Sequence, residues 1–349
     1  MDAVPLFVPG RLCLLGEHSD WAGGYRSINP TLSRGACIIV GTDQGLGARA
    51  EKHNAFEVTS RLPDNSQRGP FAVAMDAAAL RAAAAAGGFF SYAAGVAAYL
   101  HERHRVGGMR LVIDHINLPI GRGLSSSAAV CVLTARAFSR LYDLGLTLAD
   151  EMEAAYRGET ATGSHCGRMD QACAYGRVPV RLDFDGDAIA FQPLRPGAPV
   201  HFLIVDLQRS KDTRRILADL NACFPAVPGP LAENVRRALG PLNLDLVARA
   251  QAALEAGDAP QIGALMVEAQ RRFDELVAPA CAELAAPRLH EVLGYTAARE
   301  LALGGKGVGS QGDGCAQFVV RDPDAREHLA ECLQREFGLS CLPLTIAPA

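Results

Sequence analysis

Leu118-Pro-Ile-Gly-Arg-Gly-Leu-Ser-Ser-Ser-Ala-Ala129 is a glycine-rich turn that opens directly into an amphipathic helix, with Val130, Leu133, Ala137 and Leu141 at helical intervals behind it. A helix start of this kind presents free backbone N–H groups and the positive end of the helix dipole, and glycines let the chain approach a polyphosphate closely. The serines can cap the helix, add donors or ligate a divalent cation. The stretch lacks the Gly-Lys-Ser/Thr ending of a Walker A loop and does not match the dinucleotide-binding glycine fingerprint. Taken alone, it also reads as a tight turn with a serine cap.

Two further stretches share that concentration of glycine and charge. Pro9-Gly-Arg-Leu-Cys-Leu-Leu-Gly-Glu-His-Ser-Asp-Trp-Ala-Gly-Gly24 gathers Arg11, Glu17, His18 and Asp20 around a strand-to-loop transition, where polar groups face a site more often than a core. Singly, His18 reads equally well as a structural histidine, and Asp20 as an Asx turn before Gly23-Gly24. Gly304-Gly-Lys-Gly-Val-Gly-Ser-Gln-Gly-Asp-Gly-Cys315 holds six glycines in twelve residues. By itself it is also compatible with a flexible surface loop.

Around these stretches the pattern is mixed α and β. Leu12–Leu15, Ala36–Gly41, Leu111–Asp114, Phe202–Leu207 and Ala316–Arg321 read as strands, and Arg181–Phe191 as a strand pair about Gly186. Phe71–Arg105 reads as helix broken near Gly87-Gly88, Thr147–Gly163 as a helix capped by Thr147, and Pro228–Leu303 as mostly helical. A chain of 349 residues suggests about two domains, and the proline-rich stretch at 192–200 marks a boundary between domains 1–191 and 192–349. The formal charge of −4, with no run of like charges, argues against nucleic acid and membrane surfaces as partners and for small molecules. The ten cysteines are scattered without zinc spacing and read as reduced, buried thiols. No secretory or membrane-spanning stretch is evident, so a cytoplasmic protein is expected.

In order and spacing, the three stretches resemble the signature motifs of the GHMP kinases, the superfamily of galactokinase, homoserine kinase, mevalonate kinase and phosphomevalonate kinase. Gly16-Glu-His-Ser-Asp20 resembles galactokinase in particular, and Cys166-Gly-Arg-Met-Asp-Gln171 is similar to the segment carrying the catalytic aspartate there. The resemblance implies an α+β, two-domain GHMP kinase fold with its active site in the interdomain cleft, and ATP and Mg²⁺ as cofactors. It further implies Asp170 as base or electrostatic partner of the attacking hydroxyl, with Arg11 stabilising the transferring phosphoryl group. Gly121, Gly123, Leu124, Ser125, Ser126, Ser127 and Gly309 would hold ATP, Ser127 and Glu159 the metal, and Glu17, His18 and Asp20 the substrate. The implied reaction is phosphorylation of a free sugar at its anomeric hydroxyl by a monomer or homodimer. The alternatives are a non-sugar alcohol, such as mevalonate or an inositol-like polyol, and a non-catalytic sugar and ATP sensor.

Four departures from galactokinase bear on the substrate. Eight residues precede Pro9, where galactokinases carry an extension that contributes to the sugar pocket. Trp21-Ala22 stands where they usually have Tyr-Asn, and Arg122 adds a charge to the phosphate loop. Gln311 and Asp313 replace small residues, and a carboxylate beside a phosphate is unfavourable, so Asp313 is expected to point away from the nucleotide. Asp206–Thr213 reads equally as substrate-side lining and as ordinary surface.

Overall fold

The computed structural model describes residues 3–62, 64–118, 123–164 and 166–348. In chain order the strands are β1 (Val4–Leu15), β2 (Gly35–His53), β3 (Ala55–Arg61), β4 (Gln67–Ala74), β5 (Gly108–Ile116), β6 (Val180–Asp185), β7 (Ala188–Pro193), β8 (Val200–Asp206), β9 (Ala302–Gly307), β10 (Cys315–Val320) and β11 (Ser340–Ile346). The helices are α1 (Ser19–Gly24), α2 (Ala77–Ala85), α3 (Ser91–His104), α4 (Ser126–Leu141), α5 (Leu148–Thr160), α6 (Thr213–Asn221), α7 (Pro230–Arg237), α8 (Asn243–Ala256), α9 (Ala259–Leu276), α10 (Pro287–Leu293), α11 (Thr296–Leu301) and α12 (Pro323–Phe337).

The chain divides into two compact units, and neither is continuous in sequence. The first holds residues 1–11, 41–120 and 124–176; the second holds 12–40, 121–123 and 177–349. The stretch at 192–200 therefore lies inside the second unit. The hairpin before it belongs there because β6 pairs antiparallel with the first half of β2, Gly35 facing Phe184 and Ile39 facing Val180.

In the first unit β5 is central, antiparallel to β2 from Leu46 to His53 and parallel to β3, with β4 at the edge. Helices α3, α4 and α5 pack on one another. Gly95 and Gly158 bring α3 and α5 into backbone contact: a Cβ on Gly95 would lie 2.2 Å from the Gly158 carbonyl oxygen, and one on Gly158 would lie 2.5 Å from the Val96 nitrogen. That approach fixes the end of α5, where Glu159 follows. Thr147 and Asp150 form a reciprocal capping box at the start of α5. Arg136 on α4 ties the bundle together, donating to Glu151 Oε2 at 2.7 Å and to the Ala174 carbonyl at 2.8 Å.

The second unit contains the sheet β11-β8-β10-β9, in which each neighbouring pair is antiparallel. Leu203, Val205, Phe318, Val320, Leu289 and Leu329 belong to its core. The helical reading of 228–303 holds through α7 to α11.

Three expectations are corrected. Phe71–Ala74 is the end of β4, not helix, because Phe71, Ala72 and Val73 pair with Val58, Glu57 and Phe56; the alanine-rich helix starts only after Asp76, which caps it. The strands over 42–61 were not expected. Alanine, glutamate and lysine there have weak strand preference, although buried Ala48, Ala50, Phe56 and Val58 alternate with more open positions. Gly304–Gly307 forms strand β9 instead of loop, paired with Ala316–Val319.

Gly158→Ala tests the close helix approach. Alanine favours a helix by roughly 1 kcal/mol over glycine, but overpacking against backbone costs about 1–3 kcal/mol. Urea denaturation should show a net loss of stability; a gain would mean that α3 and α5 are not held by this contact.

Candidate active site

In the first unit β1 delivers Arg11 to the interior. Its backbone N–H donates to the Leu124 carbonyl at 3.0 Å, and its buried guanidinium pairs with the Asp170 carboxylate. Gly10 permits the approach, since a Cβ there would lie 2.4 Å from Leu118 Cδ1 and 3.0 Å from the Leu124 oxygen. Asp170 is the first residue of a 3₁₀ turn, Asp170–Tyr175, so its side chain leaves the turn next to Gln171.

Glu159, at the end of α5, is 3% exposed and takes two hydrogen bonds: Ser127 Oγ donates to Oε1 at 2.7 Å, and Gln171 Nε2 donates to Oε2 at 2.8 Å. Burial pushes its pKa up to about 7; the Asp170 charge adds to the rise, while Ser127, Gln171 and Arg11 oppose it. The structure therefore brings Arg11, Asp170, Ser127 and Glu159 into one corner. Ser127 and Glu159 offer hard oxygens, the donor type Mg²⁺ takes together with phosphate and water. A buried carboxylate that resists ionisation is a place where a divalent cation is favourable.

Ser125, the N-cap of α4, has φ +58° and no side-chain cap, and its buried hydroxyl has no hydrogen-bond partner among the described residues. The expected serine cap is thus not formed there, and no side-chain cap takes up the N–H groups of the first turn of α4. Ser126 and Ser127 begin the helix, Leu124 precedes it buried, and Gly121 and Arg122 lie outside the described residues.

The second unit carries the other residues. A Cβ on Gly309 would lie 3.1 Å from the Gly123 oxygen, and one on Gly123 would lie 3.3 Å from Lys211 Nζ. Lys211 Nζ also donates to the Gln311 carbonyl at 3.1 Å. Glu17 is ion-paired with Lys306, which is 1% exposed and also donates to the Gly307 carbonyl at 2.8 Å. His18 has both ring nitrogens engaged, by Trp21 Nε1 and by the Ser310 carbonyl, each at 3.1 Å. Asp20 sits in the first turn of α1, largely buried. Gly16 requires its glycine: φ is +105°, and a Cβ would lie 2.3 Å from the Ala36 oxygen.

Asp313 accepts the Leu289 N–H at 3.0 Å, supplying from outside the cap that Ala286 cannot give to α10. Within the second unit its carboxylate is thus committed to a helix start. Gln171, Lys306 and Arg136 were not singled out from sequence as functional, and Lys211 only within Asp206–Thr213. Gln171 had a signal, since it adjoins Asp170 in the quoted motif; the others take their places within their own units only by tertiary pairing.

Glu159 generates a pH prediction. The unfolded chain releases this proton near its ordinary value of 4.5 and the folded chain near 7, so the folded state holds more protons across that window and loses stability as pH rises through it. In Mg²⁺-free urea denaturation, the stability difference between Glu159→Gln and the parent should shift by up to about 3 kcal/mol in favour of the variant from pH 4.5 to 8. A difference constant across that range contradicts the burial account.

With the geometry in place, comparison with known proteins is direct. Residues 91–177 match the GHMP kinases N terminal domain. The galactokinase of Thermococcus kodakarensis is 27% identical over 301 residues, 80% of each chain. That of Thermotoga petrophila is 24% identical over 363 residues, 95% of this chain and 94% of its own. The crystal structure of Lactococcus lactis galactokinase complexed with galactose has a TM-score of 0.74 at 18% identity, covering 99% of this chain and 94% of that one. Methanococcus jannaschii mevalonate kinase gives 0.72 at 16% identity, covering 100% and 99%. The mixed α+β architecture with two sheets is the two-domain GHMP fold. The chain is thus similar to the GHMP kinases, matching their N-terminal domain over residues 91–177 and resembling galactokinases along most of its length.

Proposed function

We propose that the protein phosphorylates a free sugar at its anomeric hydroxyl, giving a sugar 1-phosphate and ADP. The observation that carries this reading is the Arg11–Asp170 ion pair beside the Ser127–Glu159 hydrogen bond, with Gln171, the residue after Asp170, donating to the same Glu159 carboxylate. The galactokinase relatives support the sugar as acceptor. Action in the cytoplasm as a monomer or homodimer belongs to the same proposal.

In this reading Asp170, ion-paired with Arg11, accepts the proton of the attacking hydroxyl or orients it, and Arg11 balances charge on the transferring phosphoryl group. Gly123 to Ser127 and Gly309 cradle the phosphates, with Ser127 and Glu159 as metal ligands. Mg²⁺, which Ser127 and Glu159 would hold, would supply charge neutralisation for the transferring phosphoryl group. Asp20 meets the acceptor hydroxyls. The pairs Arg11–Asp170 and Ser127–Glu159 argue against a mere sensor, which needs no base.

One observation favours the second reading, a non-sugar alcohol such as mevalonate or an inositol-like polyol. Glu17 is spent on Lys306, so fewer acceptors remain for the several hydroxyls of a sugar.

The test is a coupled ADP-release assay with Mg-ATP against hexoses, pentoses, uronic acids, amino sugars, inositols and mevalonate. A free sugar should give turnover above background, and Asp170→Asn should lower kcat by about 10²–10⁴-fold. Turnover only with mevalonate or an inositol selects the second reading. ATP binding with no acceptor turned over selects the sensor.

A further inference from the structure

His18 is held from three sides by groups of the second unit. The indole Nε1–H of Trp21 donates to Nδ1 at 3.1 Å, the Ser310 carbonyl oxygen lies 3.1 Å from Nε2, and the ring stacks on Phe273 with centroids 6.0 Å apart. An indole N–H can only donate and a carbonyl oxygen can only accept. Nδ1 must therefore carry the lone pair and Nε2 the proton. The tautomer is dictated by the chemistry of the two partners. Trp21 is itself braced, edge-on, by Phe224 at 5.3 Å and Tyr25 at 6.4 Å.

The far end of this relay is the glycine-rich turn. Ser310 is gripped twice, its carbonyl by His18 and its hydroxyl at 3.3 Å from Thr213 Oγ1, and the next residue, Gln311, has φ +65°. A bulky residue in the left-handed region is strained and persists only where its surroundings hold it. Asp206–Thr213, ambiguous in sequence, supplies part of that hold through Lys211 and Thr213.

We propose that Trp21 is a positioning residue: by donating to His18 Nδ1 it fixes the Nε2–H tautomer, and through that proton pins the Ser310 carbonyl, keeping the Gly309–Gln311 turn in its phosphate-holding shape. The inference rests on the nucleotide role given to that turn above. It also reassigns His18, whose ring nitrogens are occupied by protein groups, from substrate contact to loop support. Recognition of acceptor hydroxyls from α1 then falls to Asp20.

The test uses the full chain, ¹⁵N-labelled, at neutral pH. Long-range ¹H–¹⁵N correlation should show His18 as a single Nε2–H tautomer. Trp21→Phe keeps the aromatic body and removes the donor. It should give a tautomer mixture and, by calorimetry with a non-hydrolysable ATP analogue and Mg²⁺, about fivefold weaker binding, the size expected for one lost hydrogen bond. An Nδ1–H tautomer in the unmodified chain overturns the proposal whether or not the variant folds. So does Trp21→Phe with its tautomer lost and its analogue affinity unchanged. An unmodified chain with the Nε2–H signal but no analogue binding instead overturns the nucleotide reading on which the proposal stands.

Discussion

Two carboxylates, Glu159 and Asp170, share one corner of the first unit with the buried guanidinium of Arg11. Burial is the larger reason that Glu159 resists ionisation, and the Asp170 charge adds to it. The surrounding structure serves to hold this unfavourable arrangement. Gly95 and Gly158 let α5 reach it, Ser127 and Gln171 each hold one oxygen of Glu159, and Arg136 braces the turn that carries Asp170. A cation bound there would reverse the sign of the local electrostatics.

The second unit relies on a different device. Lys306 and Glu17 form a fully buried ion pair, an arrangement whose Coulombic gain is largely offset by desolvation and which is therefore weak evidence for stability. Its better-founded role is register, since it ties the first motif to strand β9 at the entrance of the glycine-rich turn. Among the described residues, each of the three motifs also contains one non-glycine residue in the left-handed region: His18, Ser125 and Gln311, with φ between +58° and +66°. Backbone strain placed in the same three segments that carry the polar groups is what a preorganised site requires.

Much of this was legible in the sequence. Arg11, Ser127, Glu159 and Asp170 were named from motif positions, and the structure brings them together because their motifs lie at strand and helix ends that the hydrophobic pattern also marks. The buried location of the cysteines was legible too, except that Cys166 and Cys341 are partly open. What could not be read were pairings whose energy is tertiary. Lys306 looks like a solvated charge until Glu17 is beside it, and Asp313 looks like an intruder near a phosphate loop until it meets the bare start of α10. The strand over Leu46–His53 was hidden because alanines suffice to fill its buried face, leaving little hydrophobic signal.

The interleaved membership of the two units has a consequence for biogenesis. Residues 12–40 leave the ribosome well before residues 177–349, with which they share the second unit. The first motif, including Glu17 and His18, must therefore wait for Lys306 and Ser310 before its polar groups find their partners. No single cut of the backbone releases either unit whole. Fragment complementation would need pieces that exchange segments, and a nascent chain stalled midway presents an unsatisfied, glycine-rich amino-terminal stretch to the cell's quality-control machinery.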